Sequence, residues 1–170
     1  MYLHLDVRFI IFVMTVLTKK MKQCLKNIAT IQTGAYVTAT QEGKWAYLQV
    51  GHFDSKGNLR QPVRPELVAD EKLKKHILQD GDILFAAKGH RNFAAAYNQE
   101  SMGMAIASSS FFVVRLTNEY RQRVLPEYVC WVINSPRNSL LLRIEAKGTF
   151  IPSITKQTLG DLELHIPEVT

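Results

Sequence analysis

Cysteine is scarce in this sequence, and its placement indicates no chemistry. Cys24 and Cys130 are the two cysteines among 170 residues, and they have neither a C-x-x-C spacing nor neighbouring histidines. Those are the patterns that would indicate a zinc site or a redox-active pair. We therefore expect two reduced, buried thiols in a cytosolic protein, and no bound metal.

The sequence also lacks an apolar run long enough to cross a membrane. Residues 9–17 form a short apolar stretch behind Arg8, whereas a membrane-spanning helix needs ~18 residues. The residues that follow offer no small-x-small cleavage site of a signal peptide. Residues 1–20 are interpreted as a leader, either added by an upstream start codon or laid on the domain as an extra strand or helix. Residues 21–170 are interpreted as a single domain with no membrane partner.

Signatures of catalysis are missing as well. The triple serine at 108–110 has no G-x-S-x-G elbow around it, and such an elbow is what exposes a nucleophilic serine. The carboxylates lack the PD-x-E-x-K spacing of metal-dependent nucleases, and the chain has no glycine-rich loop or Asn-Pro-Pro-Tyr motif of a DNA methyltransferase. We expect a protein that is not an enzyme and needs no cofactor. A fragment of a DNA-processing enzyme, nuclease or methyltransferase, stays open as the alternative.

Basic residues, by contrast, are in excess. Twenty-one Lys and Arg against fifteen Asp and Glu give a net charge of +6 and an isoelectric point near 9.4. Such a balance favours a polyanionic partner through long-range attraction. Charge alone does not separate a specific site from a non-specific basic nucleic-acid-binding domain, and both interpretations stay open at this point.

The clearest pattern is the stretch 79–89, QDGDILFAAKG. A turn-forming triplet precedes the apolar run 83–87, and the run ends at Lys88 and a glycine. This pattern predicts a buried strand that delivers a cation to the surface. A second Lys-Gly pair begins at Lys147, again beside an apolar segment. The two corners indicate one basic face.

The remaining periodicities predict strands with helices around them. Residues 45–50 alternate as in a half-buried strand, and 105–116 is apolar enough after its serines for a strand buried on both faces. A helix begins at Pro126, with Trp131 on its apolar face. The predicted class is α/β (α+β), a twisted mixed or mostly antiparallel sheet with peripheral helices. Three further expectations are a surface loop over 51–65, a short helix over 139–144 with Leu141, Leu142 and Ile144 buried, and a closing strand over 159–166 with Leu162, Leu164 and Ile166 inward.

Five short segments form a set in this sequence. They are Leu25-Lys26-Asn27-Ile28-Ala29 with Thr33-Gly34; Asp80-Gly81-Asp82-Ile83-Leu84-Phe85 with Lys88-Gly89; Ala107-Ser108-Ser109 before an apolar run; Gly148-Thr149 with Ile151-Pro152-Ser153-Ile154; and Leu162-Glu163-Leu164-His165-Ile166-Pro167. In this order and at these intervals, over about residues 24–167, they resemble a target recognition domain of the specificity subunit of type I restriction-modification systems.

The resemblance implies a DNA-reading protein without catalysis of its own. In that family one such domain binds one short half of a split DNA target, and two domains are held apart by long antiparallel helices. The assembly positions methyltransferase and restriction subunits. The family's spacer helix normally follows the closing Ile-Pro, whereas this chain ends at Thr170. We therefore expect a half or truncated specificity subunit in the cytoplasm, with duplex DNA and the methyltransferase and restriction subunits as partners. Pairing with a second copy or with another half-subunit stays open.

Candidate DNA-binding residues follow from side-chain chemistry and from the resemblance. Lys88 and Lys147 suit phosphate contacts, because the adjacent glycines let the backbone approach closely and the ammonium groups release counterions. Reading a sequence needs bidentate groups, Arg for guanine and Asn or Gln for adenine. The candidates for that role are Arg60, Gln61, Arg64, Arg91 and Asn92, and Thr149, in the Gly148-Thr149 motif, completes the set.

Overall fold

The computed structural model describes residues 20–38, 43–68, 70–148 and 150–167. The predicted leader lies outside the described residues except for Lys20, which begins the first strand. The strands are β1 (Lys20–Cys24), β2 (Ala29–Thr33), β3 (Trp45–Leu48), β4 (Pro65–Leu67), β5 (Ile83–Ala86), β6 (Ala94–Ala96), β7 (Ala105–Ala107), β8 (Phe111–Leu116) and β9 (Glu163–Pro167). The α-helices are α1 (Leu25–Ile28), α2 (Gln99–Met102), α3 (Asn118–Arg121), α4 (Pro126–Ile133), α5 (Pro136–Ile144) and α6 (Lys156–Gly160), and 3-10 helices span Val50–His52 and Glu71–His76.

Strand β5 lies inside a four-stranded antiparallel sheet of order β2-β8-β5-β6. Its side chains are buried on both faces: Ile83 and Phe85 pack into a cluster that includes residues of α4 and α6, and Leu84 and Ala86 into a cluster that includes residues of β3 and β7. The chain then leaves the core at the exposed Lys88. The predicted buried strand that ends in a surface cation is confirmed.

A second sheet, of order β4-β3-β7, pairs β3 antiparallel with β4 and parallel with β7. The prediction of a half-buried strand here is wrong, because every residue of β3 is buried. Ala46 and Leu48 face the cluster shared with β5, while Trp45 and Tyr47 pack into a third cluster. Alternation in the sequence separated the two faces correctly, but it carries no information on how many of them other elements cover.

Residues 105–116 form two strands rather than the one predicted. Strands β7 and β8 belong to different sheets, and the serines between them form a turn that the bond from Phe111 N to Ser108 O closes (2.9 Å). Ser108 N donates to Leu48 O, and Ala87 N donates to Ser110 O, both at 2.9 Å. The serine backbone thus connects the second sheet to the end of β5. This structural role accounts for the triple serine without a catalytic one.

Helix α4 packs on one face of the central sheet, and α5 packs beside α4 and adds Leu142 to the same core cluster. Pro126 begins α4 as predicted, in the first turn, where a missing N–H leaves no helical bond unmade. The predicted burial of α5 is only partly right: Leu142 is buried, but Leu141 and Ile144 are exposed. Trp131 of α4 is also half exposed, although it was predicted on the buried face. Both helices lie at the surface, where one side of each contacts the core and the other faces water.

The closing strand starts later than predicted, at Glu163, because Leu159 belongs to helix α6. Strand β9 pairs antiparallel with β1, and a salt bridge from Lys22 to Glu163 (2.7 Å) joins the two. The inward set was predicted correctly, since the side chains at alternate positions are buried: Leu162, Leu164 and Ile166.

The two cysteines differ in environment, and neither is in a disulfide. Cys130 is buried, as expected, and burial raises the pKa of its thiol. Cys24 is only half-buried, so the expectation of two buried thiols is wrong for this residue.

Within the described ranges, no helix combines the length and the apolar character that crossing a membrane requires.

Candidate nucleic-acid interface

Segments that carry the resemblance meet in space although they are far apart in sequence. A Cβ on Gly34 would lie 2.2 Å from the carbonyl oxygen of Ser108, so the first and third segments approach more closely than a side chain allows. Leu25 N donates to Leu162 O (3.0 Å), which joins the first segment to the last. Gly89 N donates to Pro152 O (2.8 Å), which joins the second segment to the fourth. The motifs therefore mark the tertiary contacts of the domain.

The two Lys-Gly corners meet on either side of one extended segment. Ser153 forms an isolated antiparallel bridge with Lys88 on one side and with Lys147 on the other. Lys147 N donates to Ser153 O (3.0 Å) and Ser153 N donates to Lys147 O (2.8 Å). On the opposite side, Ile154 N donates to Ala87 O (2.9 Å). The structure thus brings together two lysines that the sequence separates widely.

Bridge geometry places the three side chains in one row, which we term the lysine row (Lys88, Ser153 and Lys147). Residues paired across an antiparallel bridge point to the same face, with Cα atoms about 4.5 to 5.5 Å apart. Lys88 and Lys147 are therefore separated by about 10 Å at their Cα atoms. Duplex DNA carries one phosphate per strand every ~3.4 Å of axis, so the row spans about three phosphate steps.

The charges of the lysine row are not neutralised within the described part of the chain. Lys88 and Lys147 are exposed, as is Arg91, and none of the three forms an ion pair with another described residue. Five basic side chains elsewhere are paired: Lys22 with Glu163, Lys26 with Asp161, Lys74 with Glu71, Arg115 with Asp82 and Arg123 with Glu119. Other exposed cations, such as Arg60, Arg64, Lys72 and Lys75, also form no ion pair with a described residue, so what distinguishes the row is that its two lysines share one face. The row is thus a place where positive charge is available to an anionic ligand.

Arg91 and Asn92 lie in the loop between the Lys88 corner and strand β6. Arg91 is exposed, while Asn92 is half-buried and donates from Nδ2 to the carbonyl oxygen of Ala86 (2.9 Å). That bond fastens the loop to β5. Reading adenine uses the amide oxygen and nitrogen together, so the existing bond makes Asn92 a weaker candidate for base contact than Arg91.

A separate loop, over 51–65, carries the other candidates. Phe53 anchors it: the side chain is fully buried, and its ring lies 5.8 Å from that of Phe93 and 5.7 Å from that of Phe111, centroid to centroid. Because Phe93 ends the loop that carries Arg91, one aromatic contact joins the two loops. The three candidates on this loop are all exposed, as a surface loop predicts: Arg60, Gln61 and Arg64.

Acidic residues near these loops serve local structure. Asp82 is fully buried and accepts hydrogen bonds from Nε and a terminal nitrogen of Arg115, both at 2.7 Å, which raise the pKa of the guanidinium. Asp54 shapes the 51–65 loop, and its hydrogen bonds with Asn58 lower the pKa of the Asp54 carboxyl. In the ranges that the structure describes, no group of three or more His, Cys, Asp or Glu side chains is arranged to hold a metal.

The sequence predictions missed three residues beside the lysines. Ser153 entered only as part of a motif, because its two bridge partners are set by non-local pairing. Phe150 and Ile151 are exposed, at 93% and 67%, and the sequence predictions gave neither of them a role in binding. Thr149, a predicted site residue, lies outside the described residues.

Fold and surface together define an α+β domain of small, mostly antiparallel sheets with an exposed lysine row. Solved structures share this fold. The S subunit of a type I restriction-modification system from M. genitalium is 15% identical, with a TM-score of 0.58 over 89% of this chain and 35% of that one. The HsdS subunit from Thermoanaerobacter tengcongensis is 17% identical, with a TM-score of 0.59 over 87% of this chain and 38% of that one. A third chain, from a study of the assembly and conformational transition of a type I restriction-modification system, is 18% identical, with a TM-score of 0.61 over the same shares.

The resemblance inferred from the motifs is thus confirmed at the level of the fold. No protein-family model matches the sequence, and no curated protein matches it. The chain spans little more than a third of the length of the three chains whose fold it shares.

Proposed function

We propose that this chain is a target recognition domain of a type I restriction-modification specificity subunit and binds duplex DNA in a sequence-specific way. The observation that carries the proposal is the lysine row on a fold shared with such subunits. Two lysines whose Cα atoms lie about 10 Å apart on one face suit phosphates about three steps apart along a DNA strand.

Positioning and reading are divided between different side chains in this proposal. Lys88 and Lys147 hold the phosphate backbone, which fixes the register of the domain without selecting a sequence. Arg91, three residues beyond Lys88, extends from the same corner and reads a base edge, with guanine as the preferred partner of its planar guanidinium. Arg60, Gln61 and Arg64 form a second reading loop, and Asn92 and Thr149 are kept as further candidates for DNA contact.

The proposed partners follow from the same assignment. The domain directs methyltransferase and restriction subunits to DNA and performs no chemistry itself. A half-subunit of this kind acts in the cytoplasm, paired with a second copy or with another specificity half, because one domain reads one half of a split target. Two half-sites at a fixed spacing are then the expected target.

Selection of binding sites from randomised duplex DNA tests the proposal. The full chain is used alone and again fused to a dimerising helix. Enrichment of a short motif by the free chain, and of two copies at a fixed spacing by the fusion, is the expected result. If the free chain and the fusion both retain DNA but enrich no motif, the chain is a non-specific basic domain. If neither protein retains DNA, the proposal is rejected altogether.

A further inference from the structure

The loop that connects Lys147 to Ser153 holds two neighbouring apolar side chains in water. Phe150 is 93% exposed and Ile151 is 67% exposed, and no large apolar side chain among the described residues is more exposed than Phe150. Exposure of a whole aromatic ring is unfavourable. Two adjacent apolar side chains at a loop tip are therefore a candidate contact for a partner.

The base of this loop is fixed by backbone hydrogen bonds on both sides. Lys147 and Ser153 exchange two of them, and the carbonyl oxygen of Pro152 accepts a third from Gly89. Gly148 has φ +106°, and a Cβ there would lie 2.8 Å from the carbonyl oxygen of Ile151, so the tight return of the chain requires glycine. The domain thus presents the tip on a prearranged base, which limits the ordering entropy lost on binding.

Charge decides what kind of partner the tip meets. The lysine row lies at the base of the loop. The loop begins at Lys147 and ends at Ser153, and Lys88 lies on the other side of Ser153. An apolar groove on a protein would not need unpaired cations at its border. Duplex DNA offers both parts, phosphates for the lysines and stacked bases for the apolar tip. Phe, Ile and Pro are among the side chains that DNA-bending proteins insert between base pairs.

We propose that Phe150 and Ile151 form an apolar wedge that enters the duplex between two base pairs while Lys88 and Lys147 hold the adjacent phosphates. The inference rests on the proposed DNA-binding function and adds to it a local unstacking of the target. The inference also predicts that the lysines, but not the wedge, contribute to the salt dependence of the binding affinity, since only the lysines release counterions.

The test uses the full chain, the duplex obtained by selection, and copies of that duplex with 2-aminopurine at successive positions. The wild-type chain should raise 2-aminopurine fluorescence at one step, because that base loses its stacking. Phe150→Ala should abolish the increase and weaken binding by roughly 5- to 100-fold, the range for loss of one base–aromatic contact. The slope of log affinity against log salt should stay unchanged, because no charge is removed.

Two further variants keep the result interpretable. Ile144→Ala removes another exposed apolar side chain, on helix α5 (68% exposed), and should bind and unstack DNA like the wild type. Phe150→Leu keeps an apolar wedge and should retain part of the fluorescence increase. Because Phe150 is almost wholly exposed, its variants should unfold at the wild-type temperature.

The outcomes separate this inference from the proposed function. A wild-type chain that selects a motif but raises no fluorescence at any position overturns the wedge and leaves the proposed function standing. So does a Phe150→Ala variant with wild-type affinity and fluorescence. A wild-type chain that binds no duplex overturns both.

Discussion

Lys88 and Lys147 flank Ser153, each paired with it across an antiparallel bridge. The two lysines lie beside separate apolar segments and come together only because the segment 152–154 lies between them, bonded to Ala87 and Gly89 on one side and to Lys147 on the other. This relationship turns two unremarkable surface lysines into one row of about 10 Å.

The double variant Lys88→Ala, Lys147→Ala should lose affinity for all duplexes about equally. Each lost phosphate contact removes close to one unit from the slope of log affinity against log salt, so the slope should fall by about 2. Binding isotherms at several salt concentrations measure it. Lys72→Ala, Lys75→Ala removes the same charge from an exposed 3-10 helix and should change the slope much less. Equal slopes for the two double variants would remove the lysine row from the interface.

Arg91→Ala should act on selectivity. Loss of a bidentate contact to guanine costs about 1 to 3 kcal/mol of discrimination, so the ratio of affinities for selected and random duplex should narrow by about 5- to 150-fold. Arg91→Lys retains the charge without the planar fork and should narrow the ratio similarly while losing less affinity for random DNA. A uniform loss of affinity for both duplexes in Arg91→Ala would assign Arg91 to phosphate contact instead.

Removal of Arg115 should destabilise the fold. Its guanidinium is the bidentate partner of Asp82, whose side chain is fully buried. Arg115→Met leaves that carboxylate with the backbone donor Gln79 N (2.8 Å), and a buried charge without its partner costs about 3 kcal/mol or more. Arg123→Met, which breaks an exposed pair with Glu119, should cost about 1 kcal/mol or less. Urea denaturation measures the free energy of unfolding of both variants. Equal decreases would show that the buried Arg115–Asp82 pair stabilises the fold no more than an exposed pair does.

Gly34→Ala tests the close approach between two of the motif segments. A Cβ there would lie 2.2 Å from Ser108 O and 2.5 Å from Ala107 O, both backbone atoms of the β7 end. Forcing them apart should lower the free energy of unfolding by about 1 to 3 kcal/mol. Gly51→Ala is the matched control, because a Cβ at Gly51 meets nothing within 4 Å. A Gly34→Ala protein as stable as Gly51→Ala would contradict the contact.

Stability should also fall in strong alkali through Tyr97. Burial raises the pKa of this phenol to about 12, and its hydroxyl donates to the carbonyl oxygen of Gly103. Between about pH 10, the usual pKa, and pH 12 the folded chain keeps a proton that the unfolded chain releases. Unfolding then releases that proton, so the free energy of unfolding decreases as pH rises through this window, by roughly 2 to 3 kcal/mol at most.

Tyr97→Phe supplies the comparison for that window. The variant should be less stable than the wild type at neutral pH, because it leaves Gly103 O without its hydroxyl donor. Its stability should depend less on pH above about pH 10. Urea titrations of both proteins at several pH values measure the difference, in which the contributions of the other tyrosines cancel. Parallel curves would exclude Tyr97 as the titrating group.

Much of the fold could be predicted from local pattern. Strand β5 was identified because a turn and a lysine bound its apolar run, and helix α4 because proline begins it and Asn134 follows its last residue. Asn134 also shows the limit of such reasoning: its side chain accepts from Ala94 N (2.7 Å) and donates to Ala94 O (2.8 Å), which protects the edge of β6. Nothing local in the sequence indicates that partner.

The sequence by itself determined which residues are apolar, where the chain turns, and which corners carry a lysine beside a glycine, since these depend on near neighbours along the chain. Only the tertiary structure decided that β3 is covered on both faces, that 105–116 divides between two sheets, and that α5 turns Leu141 and Ile144 to solvent. It also placed Ser153 between the two lysines. Burial and bridge register depend on which distant segment packs against which face, and a periodicity of side chains does not contain that information.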